Sequence, residues 1–115
     1  MAASFRFIDL FSGIGGFHIA MKKLGGNCVF ASEIDASVRE VYFNNFGLMP
    51  KGDITKIHVN DVPAHDVLCG GFPCQSFSKA GNREGINDSR GTLFFDIMRI
   101  AEHHKPSYLL LENKI

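Results

Sequence analysis

Apolar and polar positions along this chain fall into short blocks with two alternating periods. Phe5 to Leu10 is a compact, β-prone apolar run closed by Gly13, Gly15 and Gly16, which predicts a short buried strand. From Phe17 to Leu24 the spacing becomes helical, with Phe17, Ala20, Met21 and Leu24 on one face, and Gly25-Gly26 ends the pattern. Cys28 to Ala31 reads as a second strand, Ala36 to Phe46 as a second helix, and Gly52-Asp53-Ile54-Thr55 as a very short strand. Val67 to Cys69 is the next strand, followed by a long polar loop from Gln75 to Ser89. Thr92 to His104 is an amphipathic helix with Leu93, Phe94, Ile97, Ile100 and Ala101 inward, and Pro106 stops it. Tyr108 to Leu111 is the last strand. Strands alternating with helices predict a parallel, doubly wound α/β sheet.

Composition narrows the class. A chain of 115 residues has the length of one domain, and 45% hydrophobic against 21% charged residues suits a globular core rather than disorder. No apolar run approaches the roughly 20 residues of a membrane span. The amino terminus lacks the sections of a signal peptide, so neither a membrane partner nor export is expected. Cys28, Cys69 and Cys74 are odd in number, and neither they nor the five histidines show metal-ligand spacing. They read as reduced thiols of a cytoplasmic protein without a metal. Twelve basic residues balance twelve acidic ones, without the basic excess usual in a nucleic-acid-binding domain. Any DNA-gripping surface is therefore expected to lie largely elsewhere.

Candidate chemistry gathers where strands end. Phe11 to Gly16 is a glycine-rich turn between strand and helix, with Gly13 and Gly15 exposing backbone amides to a close ligand. It is not the GxGxxG of dinucleotide enzymes, so phosphate binding is not implied. An ordinary tight turn is the plain alternative. Glu33, just past the second strand and before Ile34, can accept two ribose hydroxyls. Asp53 can accept from an adenine amino group and Ile54 can cover the ring, although a simple turn residue after Gly52 remains open. In Gly70-Gly71-Phe72-Pro73-Cys74-Gln75-Ser76-Phe77, the glycines permit a sharp turn and Pro73 fixes one dihedral. Cys74 is placed there as a nucleophile; a structural cysteine would sit inside a strand, as expected for Cys28 and Cys69. Glu112, beside Asn113, ends an apolar strand and is a candidate general acid, or else a solvated carboxylate. Lys79, Arg83 and Arg90 lie in or at the end of the polar loop, which reads as a cover for a substrate or as a surface loop.

In this order and at these spacings, Phe7-Ile8-Asp9-Leu10-Phe11-Ser12-Gly13-Ile14-Gly15-Gly16, the Pro73-Cys74 loop and Glu112-Asn113 resemble three loops of the DNA (cytosine-5)-methyltransferases. Asp88-Ser89-Arg90-Gly91-Thr92-Leu93-Phe94-Phe95 resembles a segment of the bacterial restriction-modification members. The resemblance runs from Phe5 to Asn113 and implies the Rossmann-like S-adenosylmethionine-dependent methyltransferase fold, with a mostly parallel sheet incomplete at its carboxyl end. It implies S-adenosyl-L-methionine as cofactor, contacted at Phe11, Glu33, Asp53 and Gly71. Gly13, Gly15, Ile34 and Ile54 are expected beside them, with Pro73 and Leu93. Cys74 is implied to attack C6 of cytosine in double-stranded DNA so that C5 can accept a methyl group, with Glu112 at N3. The resemblance implies that residues 1–115 are the amino-terminal part of the catalytic, cofactor-binding domain, without a target-recognition domain. The family usually follows Glu-Asn with valine, whereas Lys114-Ile115 stands here. A partner chain, or the remaining carboxyl-terminal part, is therefore expected. A non-catalytic cofactor-binding or assembly subunit, and a fragment of an RNA cytosine-5 methyltransferase, are the other readings.

Overall fold

The computed structural model describes residues 4–73 and 89–114. Strand β1 (Phe5–Leu10) leads into helix α1 (Gly16–Lys23), strand β2 (Gly26–Ser32) and helix α2 (Ala36–Phe46). Two single 3-10 turns, Ile54–Lys56 and Val59–Asp61, precede β3 (Val67–Pro73), α3 (Ser89–His104) and β4 (Tyr108–Lys114). The strands form one parallel sheet in the order β2-β1-β3-β4. The chain winds from β1 to β2 on one side, then crosses to β3 and β4 on the other. The crevice outside the carboxyl ends of β1 and β3 is thus the switch point, where open α/β sheets bind ligands.

Helices cover both faces, which is why the inner strands are largely apolar, with Asp9 as a buried exception. On one face Ile8, Leu10 and Leu68 pack with Ile97, Ile100 and Ala101 of α3 and with Ile54. On the other, Phe7, Val67 and Cys69 pack with Met21 of α1. Strand β4 stands at an edge of the sheet, with Tyr108, Leu109, Leu110 and Leu111 all partly open to solvent.

Three expectations needed correction. The buried stripe of α1 is His18 and Met21 with half-buried Phe17, while Ala20 and Leu24 are exposed. Leu24 has already left the helix at the cap, and His18 turns inward because Tyr42 and Phe46 receive it. The short strand at Gly52–Thr55 is replaced by one bridge between Ser32 and Lys51, after which Asp53 caps a 3-10 turn. Glycine and proline suggested that β3 stops at Cys69, yet it runs through Pro73, paired with β4 from Gly70↔Leu111 to Pro73↔Lys114. Pairing with β1 ends at Leu10↔Gly70, so the last residues of β3 carry a neighbour on one side only, where proline is tolerated. Gly70 serves close packing rather than a turn: a Cβ there would lie 3.2 Å from Ile97 Cδ1.

Candidate active site

The crevice holds a cavity of about 310 Å³ built from segments far apart in sequence. Phe11 enters just beyond β1, and Ser32, Glu33 and Ile34 enter from the end of β2. Gly52, Asp53 and Ile54 form a facing wall, and Gly71 of β3 and Leu93 of α3 complete it. The two carboxylates are Glu33 and Asp53, set among mostly apolar neighbours.

Each wall is tied down by backbone hydrogen bonds. Ser12 N donates to Ser32 O at 2.9 Å, fastening the glycine-rich turn to the end of β2. Gly13 N donates to Glu33 Oε1 at 2.9 Å, and Asp35 N donates to Glu33 Oε2 at 3.1 Å. The Glu33 carboxylate therefore spans the two loops. Asp53 Oδ1 accepts from the Thr55 hydroxyl at 2.7 Å and the Thr55 amide at 3.0 Å. These bonds, the hydroxyl foremost, hold the Asp53 carboxyl below its ordinary value, so it is ionised at neutral pH.

The turn itself is strained. Phe11 has φ 55°, a region that bulky side chains seldom adopt, and such residues concentrate at binding sites. Gly15 has φ 102°, and a Cβ there would overlap the Phe46 ring. Gly13 and Gly15 thus act from behind the cavity wall: Gly13 through Glu33, and Gly15 by admitting α2. Behind them lies a buried relay. His18 Nδ1 and the Tyr42 hydroxyl are 2.7 Å apart, and that hydroxyl donates to Asp9 Oδ2 at 3.1 Å. Periodicity gave no sign of this relay, because a histidine and a tyrosine on helices read as surface residues.

Glu112 is exposed at the carboxyl end of β4, in register with Gly71. It does not line the first cavity. It borders a second, of about 500 Å³, with Gly16, Phe17, Ala20 and Leu111 on the α1 side of the sheet. Pro73 closes β3, and Cys74, the expected nucleophile, lies outside the described residues, as do Lys79 and Arg83. The two described cysteines are unsuited to nucleophilic work: burial pushes the Cys28 thiol up to about 11 and the Cys69 thiol up to about 12. Ser32 and Gly52 were not singled out from sequence, since a strand-end serine and a turn glycine carry no chemical signature.

A family model of C-5 cytosine-specific DNA methylases matches residues 5–114. The chain belongs to that family, and its fold is the Rossmann-like methyltransferase fold. It is 53% identical over 108 residues to the Type II methyltransferase M.HhaI of Haemophilus parahaemolyticus, covering 94% of this chain and 33% of that relative. It is 54% identical over 111 residues to the Type II methyltransferase M.HpaII of Haemophilus parainfluenzae, covering 95% and 31%. Among solved structures, the S. pombe Dnmt2 methyltransferase superposes with a TM-score of 0.77 at 32% identity, covering 95% of this chain and 36% of that one. The chain spans about a third of the length of these relatives.

Proposed function

We propose that this chain forms the cofactor-binding, amino-terminal part of the catalytic domain of a restriction-modification DNA (cytosine-5)-methyltransferase. Its reaction is methyl transfer from S-adenosyl-L-methionine to C5 of cytosine in double-stranded DNA. One observation carries the reading: Glu33, Asp53 and Gly71 line one switch-point cavity, and β3 leads from Gly71 directly to Pro73-Cys74.

The residues present fit the cofactor by their chemistry. Glu33 suits the ribose hydroxyls, Asp53 suits an adenine amino group, and Phe11, Ile34, Ile54 and Leu93 suit a flat ring. When bound, S-adenosyl-L-methionine supplies an electrophilic methyl group. Cys74, as thiolate, forms a bond to C6 of cytosine, and the ring electrons displaced from the C5–C6 double bond make C5 nucleophilic. Glu112 gives a proton to N3 as charge builds in the ring. C5 then bonds the methyl carbon as that carbon's bond to sulfur breaks. C5 loses its own proton to water, and the electron pair left behind re-forms the C5–C6 double bond. That expels the Cys74 thiolate while Glu112 takes back the N3 proton. DNA contacts, base extrusion and target choice are assigned to the remaining two thirds of the relatives' length or to a partner chain. The balanced charge of this segment agrees with that division.

Trapping on a duplex carrying 5-fluorocytosine tests the reading, with the natural full-length protein or its complete assembly. A covalent adduct lost in Cys74→Ser is expected, with cofactor affinity nearly unchanged. Absence of any adduct favours a cofactor-binding assembly subunit, and an adduct on RNA alone favours an RNA methyltransferase.

A further inference from the structure

Ile34 lines the cavity yet is 71% exposed, so packing does not pin the turn that carries it and Glu33. Something else must hold that turn in place. Arg39, one turn into α2, reaches back over it. Its Nη1 donates to Glu33 O at 2.8 Å and to Ile34 O at 2.9 Å. The same nitrogen lies against the opposite wall, since a Cβ built on Gly52 would sit 3.7 Å from it. One half-buried guanidinium thus stands behind both the Glu33–Ile34 wall and the Gly52 wall.

We propose that Arg39 is a positioning residue that sets the spacing of these two walls and, through Glu33, the hold on the glycine-rich turn; the effect on ligand affinity rests on the cofactor reading given above. The causal order is specific. With Arg39 in place, the Glu33 backbone is fixed from the α2 side and its carboxylate can reach Gly13 N. Without it, the turn is held by Glu33 N donating to Lys51 O, by the carboxylate bond from Asp35 N, and by Asp35, which caps α2 through Ser37 N and Val38 N. These bonds can survive a rotation that withdraws Oε1 from Gly13. Because a single nitrogen makes both carbonyl bonds, an ammonium with three donors can replace it, whereas an apolar stem cannot.

The test uses Arg39→Met and Arg39→Lys in the whole chain, with two readouts. Amide hydrogen exchange needs no ligand: Arg39→Met is expected to speed exchange at Gly13 about tenfold, as for loss of one hydrogen bond, with Asp35 little changed, and Arg39→Lys to restore most of the protection. Protection at Ile8 and Leu68 in the core should not change. Calorimetry with S-adenosyl-L-methionine should then show affinity falling about tenfold in Arg39→Met and recovering in Arg39→Lys. Unchanged exchange at Gly13 in Arg39→Met overturns the inference, and so does an equal loss of protection at every amide, which marks a merely structural residue. Unchanged cofactor affinity in a methionine variant whose wild type binds also overturns it. If the wild type binds no cofactor, the cofactor reading fails, while the exchange result still decides the role of Arg39.

Discussion

Gly13 and Glu33, twenty positions apart in sequence, are joined by a 2.9 Å bond from the glycine amide to the glutamate carboxylate. The residue expected to accept ribose hydroxyls is therefore already the clasp between two cavity walls. Glu33→Ala should act twice. Losing a charged acceptor for a ligand costs about 1.5–3 kcal/mol of affinity, and losing the clasp costs about 1 kcal/mol of stability. Glu33→Gln keeps an oxygen for Gly13 and should retain most of the stability while still weakening cofactor binding. Calorimetry and urea unfolding on the same samples check this. Equal affinity in all three proteins would remove Glu33 from the ligand site.

Two neighbouring glycines should respond in opposite ways. Gly15 has φ 102° and meets the Phe46 and Tyr42 rings, so Gly15→Ala faces both a strained backbone and an overlap. A loss of about 2–4 kcal/mol is expected. Gly16 begins α1 and has nothing within 4 Å of a built Cβ. Gly16→Ala should be neutral or stabilising by a few tenths to about 1 kcal/mol through helix propensity. Denaturant midpoints of the two variants separate these outcomes.

That contrast shows what the sequence could express. Both glycines sit in one motif and look alike. Only the approach of α2, through Tyr42 and Phe46, tells them apart, and that is a contact between distant segments. The strands were legible because Phe5–Leu10 and Val67–Cys69 are apolar runs bounded by breakers. The onward course of β3 through Gly70 and Pro73 was not, because local propensity opposes it and pairing with β4 overrides it. Glu33 was legible as a carboxylate at a strand end, whereas Asp53 was expected beside a strand and instead caps a 3-10 turn. Arg39 was not, because an arginine on a helix reads as a solvated charge until its reach to two carbonyls is seen.

Stability should fall on mild acidification. Burial, reinforced by Lys22, lowers the affinity of His18 for a proton below the ordinary 6.5. Burial does the same for His65, with His104 and Arg6 adding to it against the Pro63 carbonyl and Asp66. The sign follows: below pH 6.5 the unfolded chain takes up protons that the folded chain resists, so the stability held above that pH is lost as pH falls toward the folded values. His65 Nδ1 lies 2.8 Å from Pro63 O, and its buried Nε2 finds no partner among the described residues. A second proton there would be an unsatisfied buried donor. Unfolding midpoints at pH 7.5, 6.5 and 5.5 should decline in that order, with a shallower decline in His65→Asn. A midpoint that stays level across this range would refute the assignment. Asp53 cannot mimic the effect, because its stabilising ionisation is lost only below its ordinary 3.8.

The wall carrying Asp53 and Ile54 depends on Arg99 of α3. Arg99 Nη1 donates to Ile57 O at 2.9 Å and Nη2 to Ile54 O at 3.1 Å. Nε and Nη2 both donate to Asp96 Oδ1, at 3.1 and 3.0 Å. The guanidinium thus joins the helix to the 3-10 turn by its planar fork rather than by charge alone. Arg99→Lys keeps the charge but cannot span these acceptors at once, so a loss of about 1–2 kcal/mol is expected. Arg99→Met leaves two carbonyls and the Asp96 carboxylate without this donor and should cost more, about 2–4 kcal/mol. If the bond worked mainly as an ion pair, the lysine variant would match wild type, and Asp96→Asn would be as damaging as Arg99→Met. The ordering Met, then Lys, then wild type in urea unfolding, with Asp96→Asn milder than Arg99→Met, is the outcome that geometry demands. A matching order in cofactor affinity would follow from Ile54, whose carbonyl Arg99 holds and whose side chain lines the cavity.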